Sequence, residues 1–149
     1  MATDDMKNVR ITFWNTIKTA YDDTGESVKY EGLDFDTDAV ETWVEPHILS
    51  GSRRAGTRSG VRNEDWLFQI DHYAKTGPQS STRPVDIWDL VGITTDTFSQ
   101  QTIDLKDWDD TGDPVVGYIL CDEVDAVRLP TEDDHLMRVT STIRARITY

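Results

Sequence analysis

The 149-residue sequence predicts an α+β domain: a mostly antiparallel sheet of about five strands, two helices packed on one side, and a long loop between the second and third strands. Three observations lead there. Residues 4–21 and 84–98 carry apolar side chains at helical spacing, residues 65–75 and 136–149 alternate as strands do, and the order is helix, three strands, helix, two strands. No internal repeat interrupts this order, so a single domain over 1–149 is expected.

The first helix rests on Met6, Val9, Phe13, Ile17 and Tyr21, spaced by three and four so that they line one side, with Trp14 and Ala20 widening the stripe. Thr3 or Asp4 is the expected cap; Asp22, Asp23, Thr24 and Gly25 supply the stop. Three strands should follow. The first is 28–35 around Gly32, the second 40–49, which Pro46 should bend, bulge or confine to a sheet edge, and the third 65–75. In the third, Trp66, Phe68, Ile70 and His72 share one face, and Leu67, Gln69, Asp71 and Tyr73 the other.

Between the second and third strands lies 50–63, SGSRRAGTRSGVRN, with three glycines, four arginines and no acid. A loop this long inside a compact domain tends to carry function or to lack order. The second helix should run over 84–98, because Pro84 suits a first turn and Thr82 a cap, burying Val85, Trp88 and Val91 or Gly92 with Leu90 beside them. An acidic turn over 104–113 then precedes two closing strands. Residues 115–121 are apolar on both faces, as in a central strand, and 136–149 alternate. In the last strand Met137, Val139, Ile143, Ala145, Ile147 and Tyr149 share a face, opposite Arg138, Arg144 and Arg146 among threonines.

Charge narrows the function classes. Twenty-eight acidic against 15 basic side chains give −13, and the acids are 21 Asp to 7 Glu, with only 5 Lys. Short carboxylates in such number repel one another at low salt, and molar salt shortens the Debye length to about 3 Å and removes most of that cost. A halophilic source is therefore expected, with an ordinary acidic protein as the alternative. No stretch approaches the roughly 18 apolar residues of a membrane span, so no membrane association is expected. The start MATDDMKNVR lacks the basic and apolar halves of a signal peptide.

Nothing in the chain argues for an enzyme. His47, His72 and His135 are dispersed, and Cys121 stands alone in an apolar run, which excludes an intramolecular disulfide. Asp107, Asp109, Thr111 and Gly112 match the first half of a calcium loop, but its twelfth position is Tyr118 where a bidentate Glu is needed, so a solvated turn is favoured over a metal site. No P-loop, dinucleotide fingerprint or nucleophile elbow occurs, and no cofactor is expected.

Partner contact is the chemistry that remains. Arg53, Arg54, Arg58 and Arg62 concentrate four cations in the loop of an acidic chain, which favours engagement of a negative neighbour; a hairpin tip kept soluble by its arginines is the alternative. A protein partner is preferred to nucleic acid, since the rest of the chain repels phosphate and the loop has no aromatic residue to stack on bases. Arg138, Arg144 and Arg146 join the candidate interface, against the alternative of cross-strand pairing with aspartates.

The order of an N-terminal helix, a long loop between TWVEPHIL and DWLFQIDHY, the Pro-started RPVDIWDLV, then VVGYILCDEV and a terminal LMRVTSTIRARITY resembles the tail terminator proteins of long-tailed viruses. The resemblance spans nearly the whole chain and rests on element order and apolar pattern, with no diagnostic motif. It implies a virion structural protein forming a six-membered ring on the head-proximal end of the tail tube. That ring stops tube polymerisation and offers a joint to the head completion or neck protein. The implied partners are other copies, the tail tube protein and the neck protein, with genome DNA passing through without specific binding. Assembly in the host cytoplasm is implied, and the acidity fits a siphovirus of halophilic archaea. Another head-tail joining or tail completion protein is the near alternative. An acidic inhibitor imitating DNA is the alternative from a different class, and its charge surface would be broken by the arginines.

Overall fold

The computed structural model describes residues 2–22, 27–53, 63–78, 80 and 86–149. The elements are α1 (Ala2–Asp22), β1 (Ser27–Val28), a 3-10 turn (Thr37–Ala39), β2 (Thr42–Arg53), β3 (Asn63–Lys75), α2 (Ile87–Phe98), β4 (Thr102–Lys106), β5 (Val115–Cys121), β6 (Asp125–Leu129) and β7 (Leu136–Thr148). The class is α+β, with two helices and a mostly antiparallel sheet. Among the described residues the sheet has seven strands, against the about five that the sequence predicts, in the order β1-β2-β3-β7-β5-β4, with β6 also pairing β7. Among these strands only β1 with β2 is parallel.

Both helices cover the same face. Val9, Phe13, Ile17 and Tyr21 of α1 meet Leu90 and Phe98 of α2 and the inward residues Trp66, Phe68, Ile70, Ile119, Ile143 and Ile147. The Phe13 and Phe68 rings stack with centroids 4.2 Å apart. Each such side chain withdrawn from water stabilises the fold by roughly 1.5–3 kcal/mol before entropy is counted. Met6 shares this side of α1 but precedes Val9, where the core begins, and is exposed, contrary to expectation. The helix starts at Ala2, so Thr3 and Asp4 belong to its first turn and are not its cap. Among the described residues no helix is long and apolar enough to cross a membrane.

The second helix is rotated from its expected face. Ile87, Leu90, Val91, Thr94 and Phe98 are buried and Trp88, about 100° round the axis from Ile87, is exposed. Thr82, Pro84 and Val85 lie outside the described residues, as do Asp23, Thr24 and Gly25 after α1. Residues 29–36 are not strand: Gly32 has φ +80° and the Leu33 N–H bonds the Tyr30 carbonyl, so the chain turns there. Pro46 sits at an edge. The Val44 carbonyl accepts from Lys29 on the β1 side, and Pro46, two residues on, points to the same side beyond the end of β1, where its missing N–H withdraws nothing from the ladder. A bulge falls at Leu49, between Ile48 and Ser50.

The acidic stretch divides: Asp104 lies in β4, and the turn proper follows it. The long last strand forms as expected, and β7 is the spine of the sheet. β3 borders one side of it throughout, while β6 (opposite 138–142) and β5 (opposite 145–148) share the other. The step between β5 and β6 is fixed by the end of α2, where the Ser99 hydroxyl accepts from the Val124 N–H and the Gln101 carbonyl from the Cys121 N–H.

Candidate functional site

The face of the sheet turned away from the helices is the candidate site, and strand register dictates its composition. Residues directly opposite share a face, so the outer face is built in rows. Trp43, Tyr73, Arg138 and Leu129 form one; Glu45, Asp71, Thr140 and Val127 the next; Asp65, Arg146 and Leu120 lie further along, followed by Asn63, Thr148 and Tyr118.

The first of these rows closes over a buried carboxylate. Asp71, on the outer face yet 2% exposed, accepts from Arg138 Nη2 at 2.9 Å, Thr140 Oγ1 at 2.6 Å and Gln69 Nε2 at 3.0 Å. His47 Nε2 lies 3.4 Å from the same carboxylate and 3.8 Å from Glu45, which also takes the Trp43 indole N–H at 3.0 Å. Trp43 stacks on Tyr73 at 5.0 Å, and the Arg138 guanidinium lies over the Tyr73 ring, 5.9 Å from its centroid. Burial, followed by the Asp71 and Glu45 charges, pushes the Tyr73 hydroxyl up to about 12. Arg138 is therefore committed within the chain, as the pairing alternative had it.

The far end of the same face is open. A groove of about 570 Å³ runs over β3, β7 and β5, lined by Asp65, Leu67, Leu120, Asp122, Arg144 and Arg146. Arg146 is loosely set against Asp65 at 3.9 Å and Arg144 is exposed. Beside the groove, Val116, Tyr118 and Leu120 alternate along β5 and are 41%, 48% and 41% exposed. The apolar run 115–121 had been expected to be buried on both faces; only Gly117, Ile119 and Cys121 are. That doubly apolar strand was the signal, and sequence reasoning assigned its second face to a core when the helices cover one face only.

The loop arginines are only partly placed. Arg53 ends β2, its backbone paired with Glu64, while Arg54, Arg58 and Arg62 lie outside the described residues. β2 ends and β3 begins at the end of the sheet that carries Arg146.

The remaining candidates fall apart in space. Asp109 has both carboxylate oxygens on Lys7 Nζ, at 2.7 and 2.9 Å, and the Asp107 Oδ1 accepts the Asp109 N–H at 3.1 Å. The Thr111 N–H bonds Asp110 Oδ1, so the Asp107 and Asp109 carboxylates are engaged by the turn's own backbone and by Lys7 of α1. Among the described residues no cluster of His, Cys, Asp and Glu has the geometry of a metal site. His47 faces outward, His72 inward, and His135 lies in the turn before β7. Burial, then the Asp122 charge, raises the Cys121 thiol to about 12.

His72 anchors a polar chain that sequence reasoning missed. Its Nδ1 lies 2.9 Å from the Val139 carbonyl, which only accepts, so Nδ1 carries the proton and Nε2 accepts from the Thr94 hydroxyl at 2.7 Å. Thr94 in turn contacts the Tyr21 hydroxyl, which donates to the Leu90 carbonyl at 2.9 Å. The chain ties β3 and β7 to α2 and α1. Burial is the main cause that pushes the His72 imidazole down to about 4, so it is neutral at pH 7.

No family model matches the chain, and no curated protein matches it.

Proposed function

We propose that the chain is a virion structural protein, a tail terminator that assembles as a ring on the head-proximal end of a tail tube, halts tube growth and offers a joint to the neck. The observation that carries this reading is the uncovered outer face of β5, where Val116, Tyr118 and Leu120 stand exposed beside Arg144 and Arg146. An apolar face whose rim sets Arg144 and Arg146 among Asp65 and Asp122 suits contact with a protein surface of matching mixed charge. A further copy of the chain, with 28 acidic and 15 basic side chains, offers such surfaces. Head-to-tail contacts of this type close into rings. The charge excess suits a virus of salt-adapted hosts and a lumen that does not hold DNA.

Negative-stain microscopy of the purified chain in molar salt, alone and with tail tubes, tests the reading. Rings, and rings seated at one tube end, are expected. Binding to filled heads alone supports a head-tail joining protein instead, and binding to neither overturns both.

A further inference from the structure

We propose that the basic loop of one copy, residues 53–62, seats in a groove at the opposite end of the sheet of a neighbouring copy, a head-to-tail contact repeated from copy to copy. This deepens the ring reading and rests on it for the neighbour. The groove, of about 600 Å³, opens where β2 begins and β3 ends, and Asp38, Glu41, Lys75, Pro78, Asp133 and Leu136 line it.

Charge complementarity names the occupant. The segments framing the groove, 34–41, 75–80 and 132–136, hold seven acids and one base, and Arg83, outside the described residues, lowers the excess only to five. Among the described residues the Lys75 ammonium donates to the Asp38 carbonyl oxygen at 3.3 Å, and the Glu41 and Asp133 carboxylates accept from the Ser80 hydroxyl and the His135 N–H. Cations are what this groove is short of. The loop carries four arginines and no acid. Glu64, Asp65 and Asp122 at its base are offset to within one charge by Arg144 and Arg146. Pro78 and Leu136 give an arginine stem apolar surface to lie on, and carboxylates take the guanidinium head in paired hydrogen bonds.

Reach selects the loop of another copy. Arg53 lies opposite Glu64, and Trp43, the lining residue nearest the loop, lies opposite Tyr73. The strand between Glu64 and Tyr73 covers about 30 Å. The chain from Arg53 to Asn63, running out and back, reaches about 18 Å at most, a shortfall longer than an arginine side chain. Because loop and groove sit at opposite ends of β3, each copy gives its loop to one neighbour and receives that of another. Such heterologous contacts close into rings.

Disulfide trapping between whole chains tests this, the native Cys121 being buried. Ser59→Cys, in the loop, mixed with Thr37→Cys, in the groove wall, is treated with a mild oxidant in molar salt. The pair should join about tenfold faster than Ser59→Cys mixed with Thr111→Cys on the exposed acidic turn, because a seated loop raises the local thiol concentration while that salt screens loose attraction. Neither Ser59→Cys nor Thr37→Cys alone should join at that rate. Replacing Arg53, Arg54, Arg58 and Arg62 by Ser in the Ser59→Cys chain should erase the difference with unchanged circular dichroism. Equal rates with the groove and the acidic turn, self-joining of Ser59→Cys at the faster rate, or an arginine-free loop that joins as fast would overturn the contact. Rings seen together with equal rates overturn it and leave the ring reading standing, whereas tenfold joining without rings upholds the contact and overturns ring closure.

Discussion

The Asp71 carboxylate and the Arg138 guanidinium meet at 2.9 Å across β3 and β7, one rung out of register, since Asp71 faces Thr140 and Arg138 faces Tyr73. The diagonal holds a nearly inaccessible carboxylate beneath an arginine on the outer face, so half of that face is spent internally and half is left open. Asp71→Ala should destabilise the fold by about 3 kcal/mol, because three donors lose one acceptor. Denaturant titration checks this. A loss below about 1 kcal/mol would mean that the pair behaves as a solvated one.

The His72 chain makes stability depend on pH. Its folded value, about 4, lies below the ordinary imidazole value of 6.5. The unfolded chain therefore binds the extra proton first: the stabilisation is complete above pH 6.5 and is lost as pH falls from 6.5 towards 4. The full loss is about 3 kcal/mol. Urea melts at pH 7 and pH 4.5 should show this component, and His72→Gln should remove most of it.

Two glycines should respond oppositely to alanine. A Cβ on Gly117 would strike the Thr148 carbonyl and lie 3.1 Å from the Tyr149 Cα, backbone that moves only if β5 and β7 part. Gly117→Ala should cost about 2 kcal/mol. Gly92, inside α2, meets nothing within 4 Å, so Gly92→Ala should add about 0.5–1 kcal/mol of stability. Thermal melts read both.

Salt should raise the melting temperature. With 21 aspartates and −13 overall, the chain should melt higher in about 2 M KCl than in about 0.1 M, as screening relieves repulsion. Greatest stability near zero salt would end the salt-adapted reading.

Periodic elements were legible in the sequence and register was not. Val9, Phe13, Ile17 and Tyr21 announce their side of α1, and the alternation in β3 and β7 assigns both faces, because one face of each strand is buried. TIDLK and DAVRL gave no such signal. β6 is exposed on both faces, which erases the two-residue pattern, and β4 is five residues long with Asp104 and Lys106 inside it. Trp88 misled because hydrophobicity alone assigns an aromatic to the core, whereas packing chose Ile87, one residue earlier. Asp71 with Arg138, and His72 with Thr94, required the pairing of strands and helices that no local pattern encodes. Arg144 and Arg146 were legible as residues, but their groove with Leu67 and Leu120 exists only through the register of β3, β7 and β5.

The claim that the outer face of β5 is a contact surface is tested most directly by tube growth in vitro. Added to polymerising tail tube protein in molar salt, the wild type should arrest tube length, and a Tyr118→Asp, Leu120→Asp double variant with unchanged circular dichroism should not. Tubes that grow freely with the wild type present, or that are arrested equally by the double variant, would contradict the account.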